Sequence, residues 1–257
     1  MYIREKCYDL DELMKCNLHI HPNILSYCSK DEMRVKSIVP LADELGLETI
    51  ALTEHYYGKD DSCPLLESLA IQKWLIEGFF PTKHKVNILY GAELLCYGIG
   101  KWADTDELNS AMDYRLYAVN HYSQPEWEHP DDRTPRAYAE HNMECIRQLM
   151  KSGRADCIAH PLVGKYISHF TREEQLAVTA SITDNELGDI LTLARDTNTA
   201  WEINRVAVYA DPNFARRFWK IGKEVGVVFH YGSDAHFLNG LYVNETKENL
   251  KRIFEKE

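Results

Sequence analysis

Seven short segments rich in β-branched and aromatic residues punctuate the 257-residue chain, at about residues 16–20, 48–53, 87–93, 115–119, 156–160, 200–204 and 227–232. Most are separated by stretches in which apolar residues recur with the helical period, at about 32–46, 65–77, 136–151, 184–197 and 213–225, with a last one at 244–255. Strand and helix in alternation predict an α/β fold, a parallel sheet covered by helices. A chain of this length suits one barrel-like unit. No linker, repeat or low-complexity tract divides it, so residues 1–257 are expected to form a single domain. Within 32–46, Met33, Val35, Ile38, Val39, Leu41, Ala42 and Leu45 mark the buried stripe, with Asp31 expected to cap the start and Gly46 the end.

The residues that end these strands are of one chemical kind. The first strand ends in Asn-Leu-His-Ile-His, and His19 and His21, one residue apart in extended backbone, point to the same face. The second ends in Thr53-Glu54-His55, the third in Gly91-Ala92-Glu93, the fourth in Val119-Asn120-His121, the fifth in Ala159-His160-Pro161 and the seventh in Gly232-Ser233-Asp234-Ala235-His236. In a parallel barrel the loops that follow the strands gather on one face, and sites are built there.

Taken singly, each of these residues has an ordinary explanation as a hydrogen-bonded histidine, a helix cap or half of an ion pair. Their coincidence does not, because eight ionisable residues of ligand type fall at the same end of successive elements. The other histidines behave differently. His84, His129, His141 and His169 lie away from the strand ends and are expected at the surface, while His230 is expected in the core.

The ordered set H-x-H, T-[DE]-H, G-x-E, a lone His after the fourth strand, A-H-P and S-D-A-H spans about residues 17–237 and resembles the PHP (polymerase and histidinol phosphatase) superfamily. The resemblance implies a distorted barrel of seven strand–helix units, a (β/α)7 TIM-like barrel, with two or three divalent ions at the carboxyl ends of the strands. It implies that His19, His21, Glu93 and Asp234 surround one ion. Glu93 would bridge to a second, completed by His121 and His160, and His55 and His236 would belong to a third. Zinc, manganese and iron all suit such mixed nitrogen–oxygen sets. The implied activity is hydrolysis of a small phosphate monoester, histidinol phosphate first among candidates, by a metal-activated hydroxide, with Asp234 or His236 orienting the water or passing a proton. Hydrolysis of phosphodiesters or nucleoside phosphates, and an inactive metal-binding module, are the alternatives.

The sequence departs from the family pattern after the first strand. Many members carry a further histidine about six residues after H-x-H, where this chain has Tyr27; Tyr27 itself, Cys28 and Asp31 are the candidate substitutes. Glu54 also stands where aspartate is commoner. A phosphate needs cationic partners besides metal, and the best placed are Arg205, at the end of the sixth strand in Trp-Glu-Ile-Asn204-Arg, and Lys165, ahead of Arg133 and Arg136. Tyr122, Trp127 and the pair Tyr56-Tyr57 are expected as pocket walls.

Composition narrows the partners. The formal net charge of -11, with no basic block to offset it, disfavours long nucleic acid. A small phosphorylated substrate stays compatible with it, since bound cations invert the local field. No apolar run approaches the ~20 residues that cross a bilayer, and nothing reads as a leader, so a soluble cytoplasmic protein is expected. The seven cysteines are an odd number without C-x-x-C spacing, which argues against a disulfide framework and for a reducing compartment.

Overall fold

The computed structural model describes residues 5–58, 63–80, 84–123 and 127–255. Residues 124–126 of the long loop after the fourth predicted strand therefore lie outside the described residues. The strands are β1 (Cys16–Ile20), β2 (Thr49–Tyr56), β3 (Asn87–Gly98), β4 (Lys101–Trp102), β5 (Tyr114–Ala118), β6 (Cys157–Ala159), β7 (Ala200–Asn204) and β8 (Phe229–Gly232). All but β4 run parallel in the order β1-β2-β3-β5-β6-β7-β8, matching the seven expected segments. The structure adds β4, the short antiparallel return of an extended β3. Among the described residues, β8 and β1 close the circle by a single parallel bridge, Ile20 with Ala235. Two backbone bonds flank it: Asp234 N–H donates to His19 O at 3.0 Å, and His21 N–H donates to Ala235 O at 3.0 Å. The result is a distorted TIM-like barrel of the α/β class.

Helices cover the outside: α1 (Leu10–Leu13), α2 (Val35–Glu44), α3 (Cys63–Phe79), α4 (Asp106–Ala111), α5 (Pro135–Ser152), α6 (Arg172–Ala180), α7 (Asp184–Asp196), α8 (Arg205–Ala210), α9 (Pro212–Val225) and α10 (Asn244–Phe254). Their ends follow local chemistry. Thr171 and Thr183 open α6 and α7 with reciprocal capping boxes to Glu174 and Glu186. Gly153 and Gly226 end α5 and α9 in the left-handed conformation that a Cβ disfavours. Four helices, α1, α4, α6 and α8, go beyond the sequence reading, since four to nine residues show too little of the period to be read.

One capping expectation is corrected. Arg34, not Asp31, is the N-cap of α2, and no side chain caps it. The preceding residues are folded back by other bonds, including Asn23 N–H to Met33 O at 2.7 Å, which delays the helix to Val35.

Parallel strands covered on both faces carry near-continuous buried runs, and β1 and β7 are buried at every position. Asn17, His19, Glu202 and Asn204 break those runs with polar groups inside the barrel.

Candidate metal centre

Polar side chains enter the barrel because the strand ends alternate inward, and each then meets a group that fixes its orientation. His19 Nδ1 lies 2.7 Å from Glu202 Oε1, so Nδ1–H donates to the carboxylate and Nε2 is the ring nitrogen that faces inward. Glu202 Oε2 also accepts the His160 backbone N–H at 2.5 Å. Room for this carboxylate depends on Gly232, where a Cβ would sit 1.9 Å from Glu202 Oε1 and 2.6 Å from His19 Cβ.

His160 is oriented in the same way. The Asn120 amide nitrogen donates to the carbonyls of His160 and Val163, at 2.9 and 3.2 Å, which leaves Asn120 Oδ1 as an acceptor 3.0 Å from His160 Nδ1. The Nδ1 proton is thereby placed, and the Nε2 lone pair points at Glu93 Oε1, 2.8 Å away. A lone pair against a carboxylate at that distance requires a proton or a cation between them. His236 repeats the arrangement: Nδ1 donates to the Asp234 carbonyl at 3.0 Å, while Nε2 faces His55 Nε2 at 3.2 Å.

Three groups result, in each of which the ligand atoms lie within 4.8 Å of one another: His19, His21 and Glu93; Glu93, His121 and His160; and His21, His55 and His236. Glu93, on β3, belongs to the first two, and its Oε2 is 2.8 Å from His55 Nδ1. Asp234 Oδ1 lies 3.3 Å from His21 Nε2 and 3.7 Å from His19 Nε2. Backbone strain accompanies the ends of β6 and β8, with positive φ at His160 (29°) and Asp234 (55°).

Electrostatics divide the set: despite burial, Glu202, Asp234 and Glu93 hold His19 well above its ordinary value, and Glu93 pushes His55 up to about 10. Burial pushes the Glu93 carboxyl up, yet the positive charges of His19 and His55 hold it well below the usual range. Burial drives His21 well below its ordinary value and His121 down to about 3, so both imidazoles are neutral. His21 Nδ1 and His121 Nε2 are buried without a hydrogen-bond partner among the described residues. Buried polar atoms left unmatched are costly, and neutral imidazole nitrogens converging on carboxylates are the donor set that divalent transition ions take. The residues fit such ions.

Not every expected residue reaches this cluster. Arg205 does not end a strand; it opens α8 after the Asn204 cap, and its guanidinium donates to Gly240 O at 3.1 Å. Arg136 is turned to α7, where it pairs with Glu186, and Arg133 donates to Tyr138 Oη at 2.8 Å. Lys165 lies nearer, its ammonium 5.3 Å from the Tyr166 ring and within the field of Asp234. Tyr57 stacks on His55 with ring centroids 5.7 Å apart, whereas Tyr56 is buried. Trp127 and Tyr122 are buried too, Trp127 with its ring 6.0 Å from His121. His141 is not at the surface: it is buried with Nδ1 2.8 Å from Tyr122 Oη, because its helix face turns inward over the long loop. His230 is fully buried, as expected, 3.1 Å from Tyr114 Oη.

Two residues were missed. Glu202 carries a legible signal, a charge inside an otherwise apolar strand. Tyr166 had none. Its ring lies 4.3 Å from His160 and 4.9 Å from His121, and its hydroxyl is 3.4 Å from Asp234 Oδ2, a placement set entirely by how the loop after β6 folds.

The same barrel occurs in solved structures. The crystal structure of histidinol phosphate phosphatase from Lactococcus lactis, complexed with zinc, L-histidinol and phosphate, superposes with a TM-score of 0.65 at 18% identity, over 95% of this chain and 93% of that one. The chain shares that barrel fold. A Listeria monocytogenes protein described as a candidate histidinol phosphatase shares this barrel, with a TM-score of 0.57 at 12% identity over 88% of this chain and 96% of that one. Among curated proteins, a probable phosphatase of Aliivibrio fischeri is 28% identical over 160 residues, 60% of this chain. The match spans about half of that relative, 54% of its length. No family model matches the sequence. No described helix is long and apolar enough to cross a membrane.

Proposed function

We propose that this chain is a metal-dependent phosphoesterase that hydrolyses a small phosphate monoester, with histidinol phosphate the first substrate to test. The observation that carries the reading is Glu93, shared by two ligand groups and touching a residue of the third. A carboxylate in that position can bridge ions. His19, His21, Glu93 and Asp234 would hold one, Glu93, His121 and His160 a second, and His55 and His236 a third, with His21 between the first and the third. Divalent ions there supply Lewis acidity toward phosphoryl oxygens and acidity to water.

The chain's own residues supply the rest. Glu202 and Asn120 fix the tautomers of His19 and His160, so that both present Nε2 to the centre. Tyr166 closes one side and offers a hydroxyl beside Asp234, a hydrogen-bond donor for a phosphoryl oxygen. Lys165, in the field of Asp234 and the best placed of the expected cations, would attract the substrate dianion. The ligand named for the Lactococcus structure, L-histidinol with phosphate, supports testing that leaving group first.

The test is chelator-stripped protein reconstituted separately with manganese, zinc and iron. It is offered p-nitrophenyl phosphate, its bis ester, histidinol phosphate and nucleoside bisphosphates. Release of phosphate from monoesters, fastest with histidinol phosphate, is the expected result. Cleavage of the diester alone, or tight metal binding without any turnover, would overturn the reading.

A further inference from the structure

His21, His55 and His236 form a group of imidazoles alone, and the segment that leaves β1 brings a sulfur to it. That segment is fastened on both sides of Cys28. Before it, Glu54 Oε2 accepts from Leu25 N–H at 3.1 Å, from Ser26 N–H at 2.9 Å and from Ser26 Oγ at 2.7 Å. Ser26 Oγ in turn accepts the His55 backbone N–H at 3.0 Å. After it, Ser29 Oγ donates to the His21 carbonyl at 2.9 Å, and Lys30 N–H donates to the His236 carbonyl at 2.9 Å. Cys28 is thus tied through its neighbours to the backbone of all three histidines.

Its thiol lies in the field of the imidazoles of His236 and His55, the two rings whose Nε2 atoms face each other at 3.2 Å. His236 Nδ1 is committed to the Asp234 carbonyl, so its Nε2 carries the free lone pair. His21 is fully buried, and its Nδ1 has no partner among the described residues. The other substitutes named from sequence fall away: Tyr27 is 91% exposed, and Asp31 is exposed in the turn before α2. Of the cysteines whose burial is described, Cys16, Cys96, Cys145 and Cys157 are buried, Cys7 is partly covered, and Cys28 is exposed.

We propose that the Cys28 thiolate is a ligand of the ion grouped by His55 and His236, which makes this position a mixed imidazole–thiolate site for thiophilic ions such as zinc or cobalt. The inference rests on the reading of the cluster as a metal centre. As the sulfur–metal bond forms, the thiol proton passes to solvent. Thiolate is a soft donor, so this position discriminates against manganese in a way that an all-imidazole and carboxylate set does not. Glu54 then has a task besides preceding His55: it holds the loop that presents the sulfur.

Cobalt reads the proposal directly. Stripped full-length protein titrated with Co²⁺ is expected to develop visible d–d absorption and, in addition, near-ultraviolet thiolate-to-cobalt charge transfer. Cys28→Ser should lose the charge-transfer band entirely and hold one ion fewer per chain by elemental analysis, while keeping the d–d absorption of the remaining ions. Cys28→His should regain the ion without the band. Charge transfer that persists in Cys28→Ser, or wild-type protein that binds cobalt with no such band, overturns the role of Cys28 and leaves the metal centre standing. Wild-type protein that takes up no cobalt overturns both. Far-ultraviolet circular dichroism of each variant establishes that it is folded, and should folded Cys28→Ser not be obtained, Cys28→His alone decides by the presence or absence of the band.

Discussion

Two ends of the barrel bury charge, and they bury it differently. At the entry to β5 and β6, Arg115 grips Asp156 through two bonds, Nε to Oδ2 at 2.9 Å and Nη2 to Oδ1 at 2.8 Å, and gives its remaining arm to Asn109 Oδ1 at 2.8 Å. Beside it, Asp104 accepts from Tyr117 Oη at 2.6 Å, from Asn109 at 2.9 Å and from Arg154 at 2.9 Å. Cations and anions match there. At the exit end, Glu93 and Asp234 are surrounded by histidines, with no arginine or lysine paired to either among the described residues, and imidazole nitrogens stand unmatched. A closed network satisfies itself and serves the fold, whereas an open one leaves its completion to something from outside.

The contrast can be broken from either side. Asp156→Ala should have the largest effect, since it strands the Arg115 guanidinium: a loss of about 3–5 kcal/mol in urea unfolding. The metal content of the protein that stays folded should be unchanged. Glu93→Gln should do the reverse, lowering monoester turnover by about 100-fold or more with a fall in bound metal, while the unfolding midpoint of stripped protein moves little. If Glu93→Gln instead left turnover and metal content intact, the open end would not be a bridged centre.

Glu202→Gln sharpens the comparison, because it touches no expected ion directly. It exchanges a carboxylate for an amide beside His19 Nδ1, and a fall of about 10-fold in turnover or metal affinity is expected, as for other groups that orient a metal-binding imidazole. An unchanged metal titration would reduce Glu202 to a packing residue. Smallest of all is Arg136→Ala, at a solvent-facing ion pair between the outer helices α5 and α7, expected to cost under about 1 kcal/mol near neutral pH.

That last variant also carries a pH signature. Hydrogen bonding to Arg136, with help from the Thr183 backbone, lowers the Glu186 carboxyl from 4.5 to about 2. A carboxyl depressed on folding stabilises the native state above its unfolded value, and that stabilisation fades as pH falls from about 4.5 toward 2. Unfolding measured at pH 5 and pH 3 should therefore show a shallower acid loss in Arg136→Ala than in the parent.

Much of the exit end could be read directly. A residue at the end of a parallel strand is delivered to one face by topology alone, so the H-x-H, G-x-E, A-H-P and S-D-A-H segments announce a shared site before any contact is known. The closed network gave no such notice. Asp104, Asn109, Arg115, Arg154 and Asp156 are unremarkable in sequence, and they meet only because β5 and β6 enter side by side.

Sequence by itself determined the alternation of strand and helix, the order of the strands around the barrel and the set of ligand-type residues at their ends, because these follow from periodicity and chain order. The tertiary structure decided which partner orients each ligand. Glu202 behind His19, Asn120 behind His160, Tyr166 across the pair and Cys28 beside His55 and His236 all depend on loops and on neighbours distant in the chain. Local pattern fixes which face a side chain takes on its own strand. It says nothing of the group that faces it from the next.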